Sequence, residues 1–361
     1  MSRPINALID LTALKHNLSI VRQHAKYSKV MAVIKADAYG HGLLHAAEAF
    51  SSADGFAVLE IEAAIRLREA GYQHTILLIE GFFSKSELEL FEYYKLSAVI
   101  HNSEQLQMLS AYKRNRRLNI FLKLNTGMNR LGFTPEQFLV ALESLRSHSV
   151  IDQIILMTHF ACAENRKDRK RVIEQLECFN SVITNYSLPC SLANSAAILL
   201  YPETHADWVR PGIMLYGSSP FSDVSASELG LRPSMALTSK VIAVQDLHAG
   251  DKVGYGQTFC ANQAMRVGIV AGGYADGYPR HASTGTPVLV NGTRTRIIGR
   301  VSMDMLHVDL SGIANAGIGT PVVFWGNELP IEEIAESAGT ISYDLFCSLG
   351  QRVNIKYLNN M

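Results

Sequence analysis

The stretch VMAVIKADAYGHG, residues 30–42, decides the fold of this chain. Its first half is a near-continuous apolar run of the kind that is buried on both faces of a parallel sheet. A doubly wound nucleotide-binding sheet would place G-x-G-x-x-G directly after such a first strand, and KADAYGHG stands there instead. The sequence therefore favours a (β/α)₈ barrel over a doubly wound sheet.

Further apolar runs follow at spacings that leave room for a helix between them. Together with the first run, the predicted strands span residues 30–34, 55–59, 75–79, 97–101, 119–124, 153–159, 190–194 and 208–217. The segments between them are predicted to be helical, and Ser84 and Glu87 have the spacing of a capping box in one of them. This alternation predicts an α/β fold with an N-terminal (β/α)₈ barrel of the TIM type.

The character of the sequence changes after about residue 231. Segments rich in β-branched residues, such as TPVLVNGTRTRIIG and TPVVFWG, are separated by turn signals such as Asn291-Gly292. A single late helix is predicted, over residues 331–338. We therefore expect two domains, a barrel over residues 1–230 and a C-terminal mostly-β domain over residues 231–361.

The composition excludes several classes of function. The 361 residues carry 33 Lys plus Arg and 33 Asp plus Glu, for a formal net charge of zero, whereas a nucleic-acid-binding domain needs surplus positive charge. No apolar stretch is long enough to span a membrane, and the N-terminus lacks the apolar core of a signal peptide. The 5 cysteines, at wide spacings, argue against a disulfide framework. We expect a cytoplasmic protein with neither a nucleic-acid nor a membrane partner.

Polar side chains follow the predicted barrel strands where several of them end. These strand ends carry Lys35, Arg130, His159, Asn194 with Ser195, and Arg210. Any one alone would be read as a solvated cap or a buried core residue, but their combination rarely arises by chance. Because barrel enzymes place their chemistry at this end, we expect the side chains to share one site. His41 and His45 are spaced four residues apart, but H-E-x-x-H is missing, so no metal is expected.

The loops after the seventh and eighth barrel strands commonly bind phosphate in this fold. Here they offer the Ser195 hydroxyl and the backbone N–H groups of Gly212 and Ile213. A lysine on one side of the barrel mouth and a phosphate cradle on the other suit a phosphorylated aldehyde that the lysine holds covalently. We therefore expect pyridoxal 5′-phosphate as the cofactor.

At this point the chain resembles the alanine racemase family. AVIKADAYGHG is similar to the family's cofactor-lysine motif, and KLNTGMNRLG, THFA, ANSAA, VRPGIMLYG, VGYGQTF, GGYADGYPR and GRVSMDM match its other blocks in order. The resemblance covers residues 5–353 and both expected domains. It implies an isomerase that racemises alanine with pyridoxal phosphate and either supplies D-alanine for peptidoglycan or degrades it.

The resemblance also implies a role for individual residues. Lys35 and Tyr255 would be the catalytic bases on opposite faces of the substrate, because racemisation takes a proton from one face and returns one to the other. In the family the lysine handles the D-specific proton and the tyrosine the L-specific one. Arg130 and Met303 would bind substrate. The implied cofactor-binding residues are Lys35, Tyr39, His159, Asn194, Ser195, Arg210, Gly212 and Ile213.

Arg210 would donate to the pyridine nitrogen of the cofactor. An arginine does not give up its proton, so that nitrogen would remain an unprotonated acceptor. This weakens the electron sink, which suppresses transamination, and it argues against a decarboxylase, where a carboxylate is expected at that place. His159 would support Arg210 and connect toward Tyr255. Lys123 matches a position where many members carry a carbamylated lysine; the alternative is an ordinary lysine paired with an acid.

The resemblance further implies a head-to-tail homodimer in which Tyr255 and Met303 complete the partner's active site. Two departures from the family pattern stand out. Ser302 replaces a common cysteine, and Gln351 replaces a tyrosine that contacts the phosphate in some relatives, which leaves Tyr343 as a candidate gate residue. The alternatives are a racemase of broader specificity and a non-enzymatic carrier of the cofactor. The β domain and Tyr255 argue against the carrier.

Overall fold

The computed structural model describes residues 3–112 and 118–359 of the chain. After a first strand, β1 (Asn6–Asp10), which lies outside the barrel, parallel strands close into the predicted (β/α)₈ barrel. The barrel strands are β2 (Lys29–Val33), β3 (Gly55–Val58), β4 (Thr75–Leu78), β5 (Ser97–Ile100), β6 (Leu118–Lys123), β7 (Ile151–Met157), β8 (Cys190–Ser191) and β9 (Trp208–Val209). Closure occurs where β2 pairs with β9, with Lys29 opposite Trp208. The predicted fold class is confirmed.

Helices alternate with the barrel strands. They are Leu11–His24, Leu43–Ala49, Ile61–Glu69, Glu87–Tyr93, Ser103–Ser110, Pro135–Arg146, Arg169–Ile183 and Ser195–Leu200. Their ends follow local chemistry: Thr134 and Gln137 form a capping box before Pro135–Arg146, whose first residue is a proline. At the predicted capping box, the Ser84 hydroxyl accepts from the Glu87 N–H at 3.4 Å.

Two predicted strands are shorter than expected. In the run over residues 208–217, the ladder ends after β9, and the apolar residues Ile213–Tyr216 form a buried 3-10 turn instead. Pro211 has no N–H to donate, and Gly212 has φ −120° and ψ −96°, outside the β region. In the run over residues 190–194, β8 ends at Ser191 because Asn194 caps the next helix.

A second sheet follows the barrel in the chain. Its strands are β10 (Met235–Leu247), β13 (Met265–Ala271), β14 (Pro287–Val290), β15 (Thr293–Ile298), β16 (Met305–Asp309), β17 (Pro321–Trp325) and β18 (Asn354–Leu358), while β11 (Lys252–Val253) and β12 (Phe259–Cys260) pair separately. The order is β13-β16-β15-β14-β17-β10-β1-β18, and β10 also pairs with β13. The N-terminal strand β1 therefore belongs to the second sheet, between β10 and β18.

Two helices accompany the second sheet. Ile331–Ala338 lies where the sequence predicts it, and Ser342–Cys347 is an additional short helix. Apolar side chains of the barrel and of the second sheet form one continuous buried core. Within residues 3–112 and 118–359, no helix combines the length and the apolar character that crossing a membrane requires.

Candidate active site

A cavity of about 870 Å³ opens at the carboxyl ends of the barrel strands. This volume lies within the usual range for a small-molecule or cofactor site. Most of the residues proposed from the sequence line it, namely Lys35, Tyr39, Lys123, Arg130, His159, Asn194, Ser195, Arg210, Gly212 and Ile213. The fold thus gathers the polar strand ends in one place.

Lys35 stands directly before a left-handed turn. Residues 36–39 have φ between 50° and 56°, a conformation that costs about 1–2 kcal/mol for each residue other than glycine. The His41 ring holds this turn, since its Nδ1–H donates to the carbonyls of Tyr39, at 2.8 Å, and Ala38, at 3.1 Å. Burial lowers the pKa of His41 to about 4, so this bridging ring is neutral. The strain is stored beside the candidate catalytic lysine.

Two glycines allow other elements to press against this turn. A Cβ at Gly40, where φ is +73°, would lie 2.3 Å from the Phe346 carbonyl oxygen. A Cβ at Gly42, where φ is +87°, would lie 2.2 Å from the Tyr357 hydroxyl. The helix Ser342–Cys347 and β18 therefore buttress the turn from the side of the second sheet.

The turn places the Tyr39 hydroxyl next to the loop after β9. The Tyr39 ring stacks on Tyr216 with 4.5 Å between ring centroids, and the Tyr216 hydroxyl in turn donates to the Val33 carbonyl at 2.8 Å. A Cβ at Gly212 would lie 2.7 Å from the Tyr39 hydroxyl oxygen. Burial raises the pKa of Tyr39, so this hydroxyl keeps its proton and is a donor.

Ser195 joins the same cluster from the loop after β8. Its Oγ accepts from the N–H of Gly212 at 2.9 Å and from the N–H of Met214 at 3.4 Å. Ile213 is the first residue of a 3-10 turn. Its N–H therefore has no acceptor within that turn. Two hydroxyls and the backbone at Gly212 and Ile213 converge at one side of the cavity.

Arg210 is buried, and three hydrogen-bond acceptors fix its guanidinium in the cavity wall. Its Nη1 donates to Ser191 Oγ at 2.7 Å. Its Nη2 donates to the carbonyls of Thr158, at 2.7 Å, and Leu192, at 3.1 Å. Burial lowers the pKa of Arg210 to about 10, which leaves the guanidinium charged at neutral pH.

The contact with Arg210 determines which ring nitrogen of His159 carries the proton. Arginine Nη2 can only donate, so the His159 Nδ1 that lies 3.2 Å from it must accept, and the ring proton sits on Nε2. Burial, followed by the charges of Arg210 and Lys123, lowers the pKa of His159 well below its ordinary value. A neutral ring with a donor at Nε2 follows.

Cationic side chains concentrate in this cavity although the whole chain is neutral. Lys35, Lys123, Arg130 and Arg210 all line it. Burial, then Arg210, then Arg130 lower the pKa of Lys123 to about 8, while Glu80 opposes that shift. The arrangement suits a ligand with several negative charges, such as one that carries a phosphate and a carboxylate.

Tyr255 and Met303 do not join the cavity of their own chain. Both belong to the second sheet's loops, and their side chains are 71% and 51% exposed. Among the residues that the structure describes, neither lines the cavity. Tyr255 follows Gly254 and precedes Gly256, both with positive φ, so it stands at the tip of a tight turn.

The family models that describe the alanine racemase N-terminal and C-terminal domains match residues 9–220 and 234–357. The chain belongs to the alanine racemase family. Alanine racemase of Nitrosospira multiformis is 62% identical over 353 residues, which cover 98% of this chain and 99% of that protein. Alanine racemase of Bordetella petrii is 52% identical, with 99% of each covered.

Solved structures of alanine racemases have the same architecture. The biosynthetic enzyme of Pseudomonas aeruginosa superposes with a TM-score of 0.97 at 44% identity, over 99% of this chain and 100% of that one. The enzyme of Acinetobacter baumannii superposes with a TM-score of 0.93 at 38% identity, over 99% and 100%. The predicted resemblance is confirmed, and with it the class: racemases are isomerases, and this family depends on pyridoxal phosphate.

Other residues of this alanine racemase family member reach the site without having been assigned a role from the sequence. Ser191 and Thr158 fix Arg210, and Cys347 lines the cavity. Tyr343, named only as a candidate gate, lines it as well, with its ring 6.0 Å from that of Tyr39. Ser191 carried a usable signal, since it ends a barrel strand, whereas Cys347 lies on a helix that was not predicted.

Some residues named from the sequence make contacts that the sequence did not indicate. The Asn194 side chain accepts from the Ala197 N–H and donates to the Phe160 carbonyl, so it caps the helix Ser195–Leu200. His45 stacks on Tyr357 with 3.5 Å between ring centroids. Gln351 is exposed and, among the described residues, is not part of the cavity lining.

Proposed function

We propose that the protein interconverts L-alanine and D-alanine with pyridoxal 5′-phosphate as its cofactor. The observation that carries this proposal is one cavity lined by Lys35, by the buried Arg210 and by the hydrogen-bond donors that would bind a phosphate. The relatives named alanine racemase, which match this chain along its whole length, support the choice of substrate.

The residues of the cavity fit the cofactor. Tyr39, Ser195, Gly212 and Ile213 would hold the phosphate, and the space beside Gly212 is one that a Cβ would fill. Among the contacts of the described residues, Arg210 keeps its Nε–H and one Nη1 hydrogen for a ligand. One of these would donate to the ring nitrogen, while Nη2 contacts His159. Asn194, which also lines the cavity, would contact the cofactor.

When bound, the cofactor withdraws electrons from the substrate's α-carbon and makes its hydrogen acidic. Lys35 Nζ and Tyr255 Oη would then exchange protons with that carbon, one on each face. Lys35 takes the D-specific proton and Tyr255 the L-specific one. Because Arg210 cannot surrender its proton, it limits charge withdrawal, which favours prompt return of a proton over side reactions.

Substrate is proposed to be held by its carboxylate. The Arg130 guanidinium and the Met303 backbone N–H would donate to it. Arg130 lies in a loop that Asn125 shapes: the Asn125 side chain accepts from the N–H groups of Gly127 and Asn129 at 3.1 and 3.0 Å. A racemase of broader specificity is the alternative.

We propose that the active protein is a head-to-tail homodimer with shared sites. The exposed positions of Tyr255 and Met303, outside the cavity of their own chain, support a role in the partner's cavity. In this account residues 1–230 form the cofactor-binding domain and residues 231–361 the domain that serves the partner, with β1 crossing into the second sheet. Dilution should lower activity and cofactor retention together.

Lys123 is proposed to carry a carbamate. Its amine has a pKa lowered to about 8, so far more of it is neutral, and able to react with carbon dioxide, than for an ordinary lysine. The added negative charge would sit in a cavity that also contains Arg130 and would help to orient that guanidinium. The competing account is an ammonium balanced by Glu80.

The cellular role is proposed to be the supply of D-alanine for peptidoglycan or, in the reverse direction, its degradation. A cytoplasmic location stays a prediction from the sequence. Non-enzymatic cofactor carriage is the least supported alternative, because it assigns nothing to Tyr255 or Arg130.

The proposal is tested with purified, cofactor-loaded protein and L-alanine in deuterated water. We expect D-alanine to form with deuterium at the α-carbon, and Lys35→Ala to abolish both this reaction and the visible and near-ultraviolet absorption of the bound cofactor. Lys29→Ala, at the opposite end of the same strand, is the matched control and should change neither. Exchange without inversion, or release of carbon dioxide, would refute racemisation.

A further inference from the structure

Asp276 is a fully buried carboxylate that two arginines share. Arg352 donates to it through Nε, at 2.7 Å, and Nη2, at 3.1 Å, in a two-pronged contact. Arg3 donates through Nη2 at 3.2 Å, and the Gly273 N–H adds a bond of 2.9 Å. A carboxylate with this many charge-assisted donors is held in one orientation.

The same two arginines reach the loop that carries Met303. Arg352 Nη2 donates to the Met303 carbonyl at 3.2 Å and lies 2.7 Å from the Asp304 carboxylate. Arg3 Nη2 donates to the Asp304 carbonyl at 2.8 Å. Arg3 precedes β1 and Arg352 precedes β18, so both ends of the described chain converge on this loop.

The loop is fastened from a second side by the segment that begins at Gly273. The N–H of Tyr274 donates to the Ser302 carbonyl, and the N–H of Ala275 to the Met303 carbonyl, both at 3.1 Å. A Cβ at Gly273 would lie 2.2 Å from the Ser302 carbonyl oxygen, so only glycine permits this approach.

These contacts determine where the Met303 N–H points. In a trans peptide the C=O and the N–H point in opposite directions. The Ser302 carbonyl points at Tyr274, so the N–H of the same peptide unit, which belongs to Met303, points away from that segment. The Met303 side chain is largely exposed, which is consistent with an outward-facing donor.

We propose that Arg3, Asp276 and Arg352 are positioning residues that hold the Met303 N–H in place for the substrate carboxylate of the partner's site. This inference rests on the proposed function, in which Met303 binds that carboxylate. The cluster acts at a distance from the chemistry, so its loss should weaken substrate binding more than it slows proton transfer.

The test uses Arg352→Ala and Arg352→Lys in the full-length, cofactor-loaded protein. We expect Arg352→Ala to raise the KM for alanine about tenfold, with kcat changed less than about threefold and cofactor absorption unchanged. A lysine keeps one charge contact with Asp276 but cannot serve Asp276 and the loop together. It should therefore restore the melting temperature while KM stays raised.

An unchanged KM in Arg352→Ala, or a KM that Arg352→Lys restores along with stability, would overturn the inference. Arg296→Ala is the matched control, because Arg296 also contacts an aspartate, Asp309, with two nitrogens but lies away from the loop. If Arg352→Ala does not fold, Arg3→Ala serves instead, with a KM raised about threefold as the expected result and an unchanged KM as the contradicting one. Absence of racemisation in the unsubstituted protein is a different result, and it would refute the proposed function itself.

A mixture of chains adds a readout that a structural role would not move. Chains with Arg352→Ala are combined with chains that carry Lys35→Ala and are therefore inactive in their own barrel. In the hybrid dimer the intact Lys35 meets an intact Arg352 from the other chain. In an equal mixture, half of the active sites lie in hybrids and should show the wild-type KM, while the other half lie in Arg352→Ala homodimers and keep the raised one. Kinetics that show only the raised KM would contradict action across the interface.

Discussion

At Gly212, the absence of a side chain leaves space that the proposed phosphate site needs. The residue's φ of −120° and ψ of −96° lie outside the regions that most residues favour, so the backbone already favours glycine. Space adds a second requirement, because a Cβ would stand 2.7 Å from the Tyr39 hydroxyl, inside the proposed phosphate cradle.

Gly212→Ala should weaken binding of pyridoxal phosphate by about 1–3 kcal/mol, or roughly five- to 150-fold, because the methyl group crowds the cradle. Equilibrium titration of the apoprotein, followed by absorption, measures this effect. Gly312→Ala is the control, since a Cβ there meets no atom within 4 Å. Equal affinities in the two variants would mean that the phosphate is bound elsewhere.

The carbamylated fraction of Lys123 should depend on pH, because the pKa of its amine is lowered to about 8. Below about pH 8 the amine holds a proton and cannot react, so the modified fraction should rise as the pH increases through about 8. With ¹³C-bicarbonate, NMR should detect more carbamate at about pH 9 than at about pH 7, and Lys123→Met should lack the signal. An ammonium at Lys123 throughout this range would contradict the proposal.

Residue types at strand ends were predictable from the sequence, but their partners were not. Lys35 stands out because it follows an apolar run, and Arg210 because it interrupts one. Nothing local indicates that the Arg210 guanidinium donates to the carbonyls of Thr158 and Leu192, or that Ser195 Oγ accepts from the Gly212 N–H. Such contacts depend on which loops the closed barrel brings together.

At the scale of elements, the left-handed turn after β2 is the least predictable feature. Propensity rules assign KADAY to an ordinary helix, yet residues 36–39 all have positive φ. The reason is tertiary: His41, Gly40 and Gly42 anchor the turn against the helix Ser342–Cys347 and β18. Strain of this kind is tolerated where it positions a functional group.

Ala36→Gly should raise the free energy of unfolding by about 0.5–1 kcal/mol. Relief of a left-handed alanine gains about 1–2 kcal/mol, and the extra freedom of glycine in the unfolded chain offsets about 0.5–1 kcal/mol. Urea denaturation of the apoprotein measures the difference. Ala63→Gly, within the right-handed helix Ile61–Glu69, should instead destabilise the protein by about 1 kcal/mol. Equal losses in both variants would argue against a strained turn.

The sequence predicted the positions of the barrel strands better than the residues at which they end. Apolar runs are sufficient to locate strands that are buried on both faces. The runs over residues 190–194 and 208–217 end early because Asn194, Pro211 and Gly212 interrupt the ladder for local reasons. The place of β1 in the second sheet is a long-range pairing with β10 and β18, which no pattern within NALID reveals.

For the whole molecule, the neutral net charge gives no indication of how charged and exposed residues are distributed between the barrel and the second sheet. Four cationic side chains line one cavity, while the loops with Tyr255 and Met303 are exposed on the second sheet. In the proposed dimer, such a site is incomplete within a single chain. Symmetric association would then complete two sites at once, because each chain offers a cavity and also the loops that the partner's cavity needs.

Complementation between two inactive variants tests this central claim most directly. Chains with Lys35→Ala and chains with Tyr255→Phe are mixed in equal amounts, allowed to exchange subunits, and assayed for conversion of L-alanine to D-alanine. Half of the dimers should be hybrids with one intact site of two, so the account predicts about a quarter of wild-type activity from two nearly inactive parents. A mixture no more active than its parents, with subunit exchange verified, would contradict it.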